Sequence, residues 1–341
     1  MTETNQKILD LILNEHKTLE VLSKEVNLSQ RQIYTRLASL KNNGYNFNRK
    51  FYYNGSQSFK VEKQIVLPPA KEGLTINIDD DDKVFNAVVI SDLHLGSVFE
   101  NIDALHKVYN YCSKEGINII LNGGDLIDGT FGNIKKTYDV HEQIKTAIKN
   151  HPYDKNILNF ICLGNHDASA KTDYGIDFKE YLLNRRPDLI PVDYGNAIFN
   201  LKNDQIIVEH PVGYGIKNIN VQTGLVLKGH SHITRVVDNA NSIFMQLPSL
   251  SGIAMRPDLA FPCALKMQLI FTNGYITTGI FNQLLIQSNN VLVLNELLYD
   301  LGRGKKRPIN NEYDESKDKV LTKKSQIDKF NNKYGEKNSV K

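Results

Sequence analysis

Ser91-Asp92-Leu93-His94-Leu95-Gly96 follows an apolar run at residues 84–90, and its reading decides the fold. Two further stretches repeat the arrangement. Gly123-Gly124-Asp125-Leu126-Ile127-Asp128 follows the apolar residues 117–121, and Gly164-Asn165-His166-Asp167 follows residues 157–163. Short apolar runs succeeded by Gly, with helical patterns between them, predict buried strands of a parallel sheet built from βαβ units. Ligands bind beyond the carboxyl ends of such strands. Three polar clusters far apart in sequence are therefore expected to meet at one edge.

The chemistry of these clusters is uniform. Asp, His and Asn offer oxygen and imidazole donors with no thiolate among them, a set suited to divalent Mn, Fe or Zn rather than to a soft-metal or structural Cys site. Val208-Glu209-His210 and Gly229-His230-Ser231-His232 come later and also end apolar runs. Of the nine histidines, five (His94, His166, His210, His230 and His232) stand directly after a predicted strand, where chance would scatter them.

The ordered series Asp92-x-His94, Gly124-Asp125, Gly164-Asn165-His166-Asp167, His210 and Gly229-His230-x-His232 resembles the signature of the calcineurin-like metallophosphoesterase superfamily. The resemblance covers roughly residues 84–280. It implies a four-layer α/β/β/α sandwich. It also implies two divalent ions, manganese first, with iron, zinc or nickel as alternatives. Asp92, His94, Asp125 and His232 would hold one ion, and Asp125, Asn165, His210 and His230 the other, with Asp125 bridging. A metal-bridging hydroxide would attack phosphorus. By the same resemblance His166 is a catalytic group beside the phosphoryl group rather than a ligand. Asp128 and Asp167 would be carboxylates that orient His side chains. Leu126-Ile127-Asp128-Gly129 lacks the Arg that follows the equivalent Asp in Ser/Thr protein phosphatases. The paired His230 and His232 are similar to the phosphodiesterase and Mre11/SbcD-like nuclease branches. One departure is Pro211 after His210, where the family more often has Gly or a small residue.

Residues 1–66 read as a separate module. Ile8, Leu9, Leu11 and Ile12 predict a first helix, and Thr18 caps a second carrying Leu19, Leu22 and Val26. Ser29 and Gln32 open a third with a capping box, and Ile33, Leu37 and Leu40 form its apolar stripe. Two strands around Asn54-Gly55, a hairpin signal, follow at residues 47–53 and 58–66. Three helices and a hairpin resemble a winged helix-turn-helix, in which the third helix enters the DNA major groove. Its outward positions would be Gln30, Arg31, Tyr34, Arg36 and Lys41, with Arg49 and Lys50 on the wing. Residues 1–68 hold ten Lys and Arg against six Asp and Glu, an excess of four that suits phosphate contact. A docking or dimerisation module with a solvated basic face is the alternative.

Residues 67–83, with Pro68-Pro69 and four consecutive aspartates, read as a linker with no packed element, and residues 84–300 as the catalytic domain. Residues 301–341 are basic and poor in apolar side chains, which predicts a disordered tail with at most a transient helix. The net charge of +3 is slight, so any basic surface must be local. No membrane span or signal peptide is evident, and Cys112, Cys162 and Cys263 read as buried free thiols, so a cytoplasmic protein is expected. The expected partner is nucleic acid, DNA first, with no membrane, and a homodimer is compatible with the sequence. The leading function is a DNA nuclease tethered by its N-terminal module. A phosphoesterase for a cyclic nucleotide or phosphomonoester is second, and a regulator with a vestigial phosphoesterase domain third.

Overall fold

The computed structural model describes residues 3–42, 45, 47–61, 73–131, 136–137, 139–211, 224–239, 242–252, 261–287 and 290–301. The chain opens with α1 (Glu3–Ile12), the two-residue β1 (Lys17–Thr18), α2 (Leu19–Val26), α3 (Gln30–Asn42), β2 (Phe47–Tyr52) and β3 (Gln57–Val61). Local chemistry sets these boundaries. Thr18 accepts from Val21 N at the start of α2. Ser29 Oγ accepts from Gln32 N while Gln32 Oε1 accepts from Ser29 N, the reciprocal pair of a capping box. Ile8, Ile12, Leu22, Ile33, Leu40 and Phe59 then bury one small core.

Next come β4 (Leu74–Asn77), β5 (Val84–Ile90), α4 (Ile102–Glu115), β6 (Ile119–Asn122), α5 (Val140–Asn150), β7 (Leu158–Leu163), α6 (Asn165–Tyr174), α7 (Phe178–Leu183) and β8 (Leu189–Tyr194). The last elements are β9 (Asn196–Leu201), β10 (Asp204–Glu209), β11 (Leu225–Lys228), β12 (Arg235–Asn239), β13 (Ser242–Gln246), β14 (Cys263–Thr272), β15 (Tyr275–Ile286) and β16 (Val291–Asp300).

They form two sheets. One has the order β16-β15-β14-β5-β6-β7-β8, with β5 to β8 mutually parallel and β14 antiparallel to β5. The other has the order β1-β3-β2-β4-β9-β10-β11-β13-β12, with β10, β11 and β13 parallel. Because strands buried on both faces need no polar alternation, β5 to β7 appear as apolar runs in the sequence. Phe85, Val89, Leu121 and Phe160 on one sheet meet Phe199, Val208 and Leu227 on the other. The opposite face of the seven-stranded sheet is covered by Leu105 and Val108 of α4, Ile144 and Ala147 of α5, and Phe178 and Leu182 of α7.

Two expectations change. Residues 67–83 are more than a linker: β4 pairs in parallel with both β2 and β9, and Ile76 is fully buried in the inter-sheet core. The β2–β3 hairpin thereby joins the nine-stranded sheet, and Phe51 of β2 packs edge-on against Phe160, 5.2 Å between ring centres. The N-terminal helices and both sheets accordingly belong to one compact unit. The described layers are helices, seven-stranded sheet and nine-stranded sheet. Two large sheets with helices make the mixed α/β architecture that was expected. The predicted tail, and residues 62–66 of the second predicted strand, lie outside the described residues. No helix among the described residues is long and apolar enough to cross a membrane.

Candidate metal centre

Five loops carry the polar clusters, and each leaves the carboxyl end of a parallel strand: β5, β6 and β7 from one sheet, β10 and β11 from the other. Backbone hydrogen bonds extend the pairing past the strand ends. Asp92 N donates to Gly124 O at 2.9 Å, His94 N to Asp125 O at 3.0 Å, and Leu95 N to Leu126 O at 3.0 Å. Gly229 N reaches Glu209 O at 2.9 Å, tying the two loops of the second sheet.

The backbone here is bent into unfavourable conformations. Asp92 (φ 54°), His94 (45°), Asp125 (53°), His230 (77°) and His232 (56°) are five of nine non-glycine residues with positive φ among the described residues. Each such residue costs on the order of 1–3 kcal/mol and persists only where its surroundings impose it, which is characteristic of functional sites. Two glycines allow the loops to close. A Cβ on Gly124 (φ 106°) would lie 2.5 Å from His210 Nδ1, and one on Gly164 would collide with the Asp125 carboxylate.

The donors converge in overlapping groups: Asp92 with His94 and His232, Asp125 with His210 and His230, and His94 with Asp125 and His166. Asn165 completes the second, its Oδ1 3.2 Å from His210 Nε2 and 3.1 Å from His230 Nδ1. The arrangement calls for positive charge. His210 Nδ1 lies 2.5 Å from Gly123 O and must donate to it. In the neutral ring Nε2 is then a lone pair, yet it faces Asp125 Oδ2 at 3.0 Å and Asn165 Oδ1 at 3.2 Å, both acceptors. Only a second proton or a cation resolves that meeting. Burial opposes a charge on His210, but the Asp125 carboxylate outweighs it and lifts the pKa to about 9. Asp125 itself is pushed up by burial and held well below the usual carboxylate range by His210, His166 and His94. In the first group His94 Nε2 lies 3.2 Å from His232 Nε2, and His232 Nε2 lies 3.2 Å from Asp92 Oδ1. The residues therefore fit divalent cations, in donor type and in lone pairs turned on one another.

His166 Nδ1 donates to the Asp128 carbonyl at 2.8 Å, so its Nε2 is the nitrogen turned to the centre, 4.0 Å from Asp125 Oδ2. Burial lowers its pKa. Asp128 lies beside two imidazoles, with Oδ1 3.4 Å from His94 Nδ1 and 3.8 Å from His166 Nδ1. The His94 contact has the distance of a hydrogen bond without its angle, and His94 Nδ1 has no hydrogen-bond partner among the described residues. Asp167 departs from its expected role. Its carboxylate accepts from Ile127 N at 3.0 Å and Gly164 N at 2.9 Å, so it fastens two loops to each other rather than orienting a histidine. Its full burial, with the Asp125 charge nearby, raises its pKa to about 7. Sequence reading also missed Ser91, whose hydroxyl donates to Asp92 Oδ2 at 2.5 Å, and Ser249, which donates to Asp92 O at 2.8 Å. Ser249 sits 157 residues away with no motif to mark it.

The five α3 positions expected to face DNA do not share one fate. Arg31 and Lys41 are exposed, and Gln30 and Arg36 half-buried. Tyr34 is buried, and its hydroxyl donates to Leu183 O at 2.6 Å, so the segment ending α7 covers it and it cannot read a groove. Arg49 likewise leaves the wing: it donates to Gln57 Oε1 and Pro187 O and lies over the Phe51 ring at 4.7 Å. Cys112, Cys162 and Cys263 are free and buried.

A family model described as calcineurin-like phosphoesterase matches residues 85–253. No curated protein matches the chain. Among solved structures, Vacuolar Protein Sorting 29 from Cryptosporidium parvum is 16% identical with a TM-score of 0.39, over 64% of this chain and 100% of that one. An archaeal phosphodiesterase is 13% identical with a TM-score of 0.39, over 59% and 99%. The same sorting protein from Entamoeba histolytica, in complex with zinc, is 11% identical with a TM-score of 0.35, over 63% and 99%.

Proposed function

We propose that this chain, whose residues 85–253 match a calcineurin-like phosphoesterase family model, hydrolyses phosphodiester bonds of nucleic acid, DNA first, with two divalent ions in its donor groups. The observation that carries the hydrolytic reading is the convergence of Asp92, His94 and His232 on one side and Asp125, His210 and His230 on the other. One ion would be held by the first three together with Asp125, the other by the second three together with Asn165. Manganese is the first candidate, with iron, zinc or nickel as alternatives. Such a pair supplies charge that polarises the phosphoryl oxygens and lowers the pKa of a water.

The chain's own residues do the rest. His210, fixed through Nδ1 on Gly123 O, presents Nε2 to the shared carboxylate. Asp92 is held by Ser91 and by His230 N, which lies 3.1 Å from both its oxygens. His166, fixed through Nδ1 on Asp128 O, turns Nε2 to the centre, and it protonates the leaving oxygen from its imidazolium form, which burial disfavours. The nucleic-acid reading is supported by the N-terminal element order, three helices then a hairpin with β1 beside β3, which is that of a winged helix-turn-helix, and by the basic excess of residues 1–68.

The contacts of buried Tyr34 and half-buried Arg49 with the body favour a second reading, a phosphoesterase for a cyclic nucleotide or phosphomonoester with the N-terminal module as a docked support. Hydrolysis with added Mn²⁺ separates the two, comparing bis-p-nitrophenyl phosphate, p-nitrophenyl phosphate and end-labelled linear DNA. Cleavage of the diester and the DNA, lost in His166→Ala, is expected. Hydrolysis of the small esters with DNA untouched would move the assignment to the second reading.

A further inference from the structure

Arg31 of α3 shares a cleft with α5, α7 and the segment after α7, and that cleft encloses about 620 Å³. Its volume is within the range of small-ligand sites. Its lining is distinctive in charge. Arg31, Lys145, Lys149, Arg185 and Arg186 contribute to it, and no carboxylate does. Two of these cations are already answered. Arg186 is buried and forks onto Asp188 at 2.8 and 2.6 Å, and Lys145 meets Glu142 at 2.7 Å. Arg31, Lys149 and Arg185 are exposed and form no ion pair among the described residues. Tyr153, half-exposed at 51%, and Tyr181 stand between them. The Arg185 guanidinium lies 3.6 Å above the centre of the Tyr181 ring, a flat platform with its positive charge already in place.

Cations at intervals with aromatic faces between them are what a single nucleic-acid strand requires: phosphates neutralised by Arg and Lys, bases stacked on rings without regard to sequence. We propose that this cleft holds a single strand of nucleic acid outside the metal centre, with Arg31, Lys149 and Arg185 on phosphates and Tyr153 under a base. The inference rests on the nucleic-acid part of the proposed function, but not on turnover. It also gives α3 a different task from groove reading, since Arg31 acts together with the phosphoesterase helices.

The test is fluorescence anisotropy in EDTA with labelled oligothymidylate of about 20 nucleotides, longer than one strand-binding site of this kind. Tight binding by the wild-type chain is expected. R31E/K149E/R185E should bind at least tenfold more weakly, with the salt slope reduced by about 2, at roughly 0.7 for each single-strand phosphate released. K24E/K83E/K114E, which changes net charge equally, should bind like wild type. Tyr153→Ala should lose about fivefold or more, as removal of one stacking ring does. Equal weakening by both triple variants, no weakening by the first, or no binding by wild type would overturn the proposal. So would full competition by thymidine monophosphate at matched nucleotide concentration, which would make the ligand a free nucleotide. Hydrolysis of bis-p-nitrophenyl phosphate with Mn²⁺ should be unchanged in R31E/K149E/R185E. A wild-type chain that binds the strand but hydrolyses no ester would sink the catalytic reading and leave the cleft standing.

Discussion

Asp125 and Tyr34 both read in the sequence as functional positions, and the fold treats them oppositely. Asp125 ends a strand, takes a φ of 53°, and places one oxygen on His166 N and the other against His210 Nε2. Tyr34 sits on a regular helix, buries its ring, and gives its hydroxyl to a backbone carbonyl of the body. Around Asp125 strain and opposed lone pairs accumulate, which packing would eliminate if no proton or ion compensated them. Around Tyr34 every feature is what ordinary packing produces. A spacing of Asp, Asn and His at strand ends has few structural reasons to exist. An amphipathic helix with basic residues has many.

That contrast breaks most visibly at Asp125. Asp125→Ala should reduce diester hydrolysis on the order of 10³-fold or more, because the shared carboxylate holds charge worth several kcal/mol at the transition state. Chelation of the wild-type chain should give a comparable loss, recovered on adding Mn²⁺. Residual activity above a tenth of wild type would remove Asp125 from the shared position. Stability should respond elsewhere. Arg186→Ala leaves Asp188 buried without its partner and frees Ile148 O, His151 O and Pro152 O. A loss of about 3–5 kcal/mol in urea unfolding is expected, with metal content per folded chain unchanged. A loss below about 1 kcal/mol would mean that water replaces the guanidinium there.

Gly124→Ala sharpens the picture of the cradle. Its methyl group would press on His210 Nδ1, so metal affinity should fall about 10–100-fold, as when the outer support of a ligand is lost. Titration with unchanged affinity would show that His210 is free to move. The smallest effect belongs to the helix: Tyr34→Phe should cost about 1 kcal/mol, one hydrogen bond, and leave DNA affinity as it was. A drop in DNA affinity would return Tyr34 to the nucleic acid.

β5 was legible to the residue because residues 84–90 are apolar apart from Asn86 and end at Ser91. β4 was not. Leu74-Thr75-Ile76-Asn77 is four residues long, between two prolines and four aspartates, and its stability comes from parallel partners at residues 51–52 and 199–201. No local pattern reports such pairing. α6 was also missed, since it starts inside the Asn165-His166-Asp167 motif and carries no apolar stripe. The candidate ligands could be read because the residue types themselves carry the chemistry. Ser91, Ser249 and the role of Asp167 could not, since they act on backbone and carboxylate atoms brought near only by the fold.

Metal stoichiometry tests the shared carboxylate most directly. Isothermal titration of chelator-stripped chain with Mn²⁺ should give two ions per chain, as expected for a pair bridged by one carboxylate, and one or none in Asp125→Ala. A single ion in the wild-type chain, or two still bound by Asp125→Ala, would contradict it.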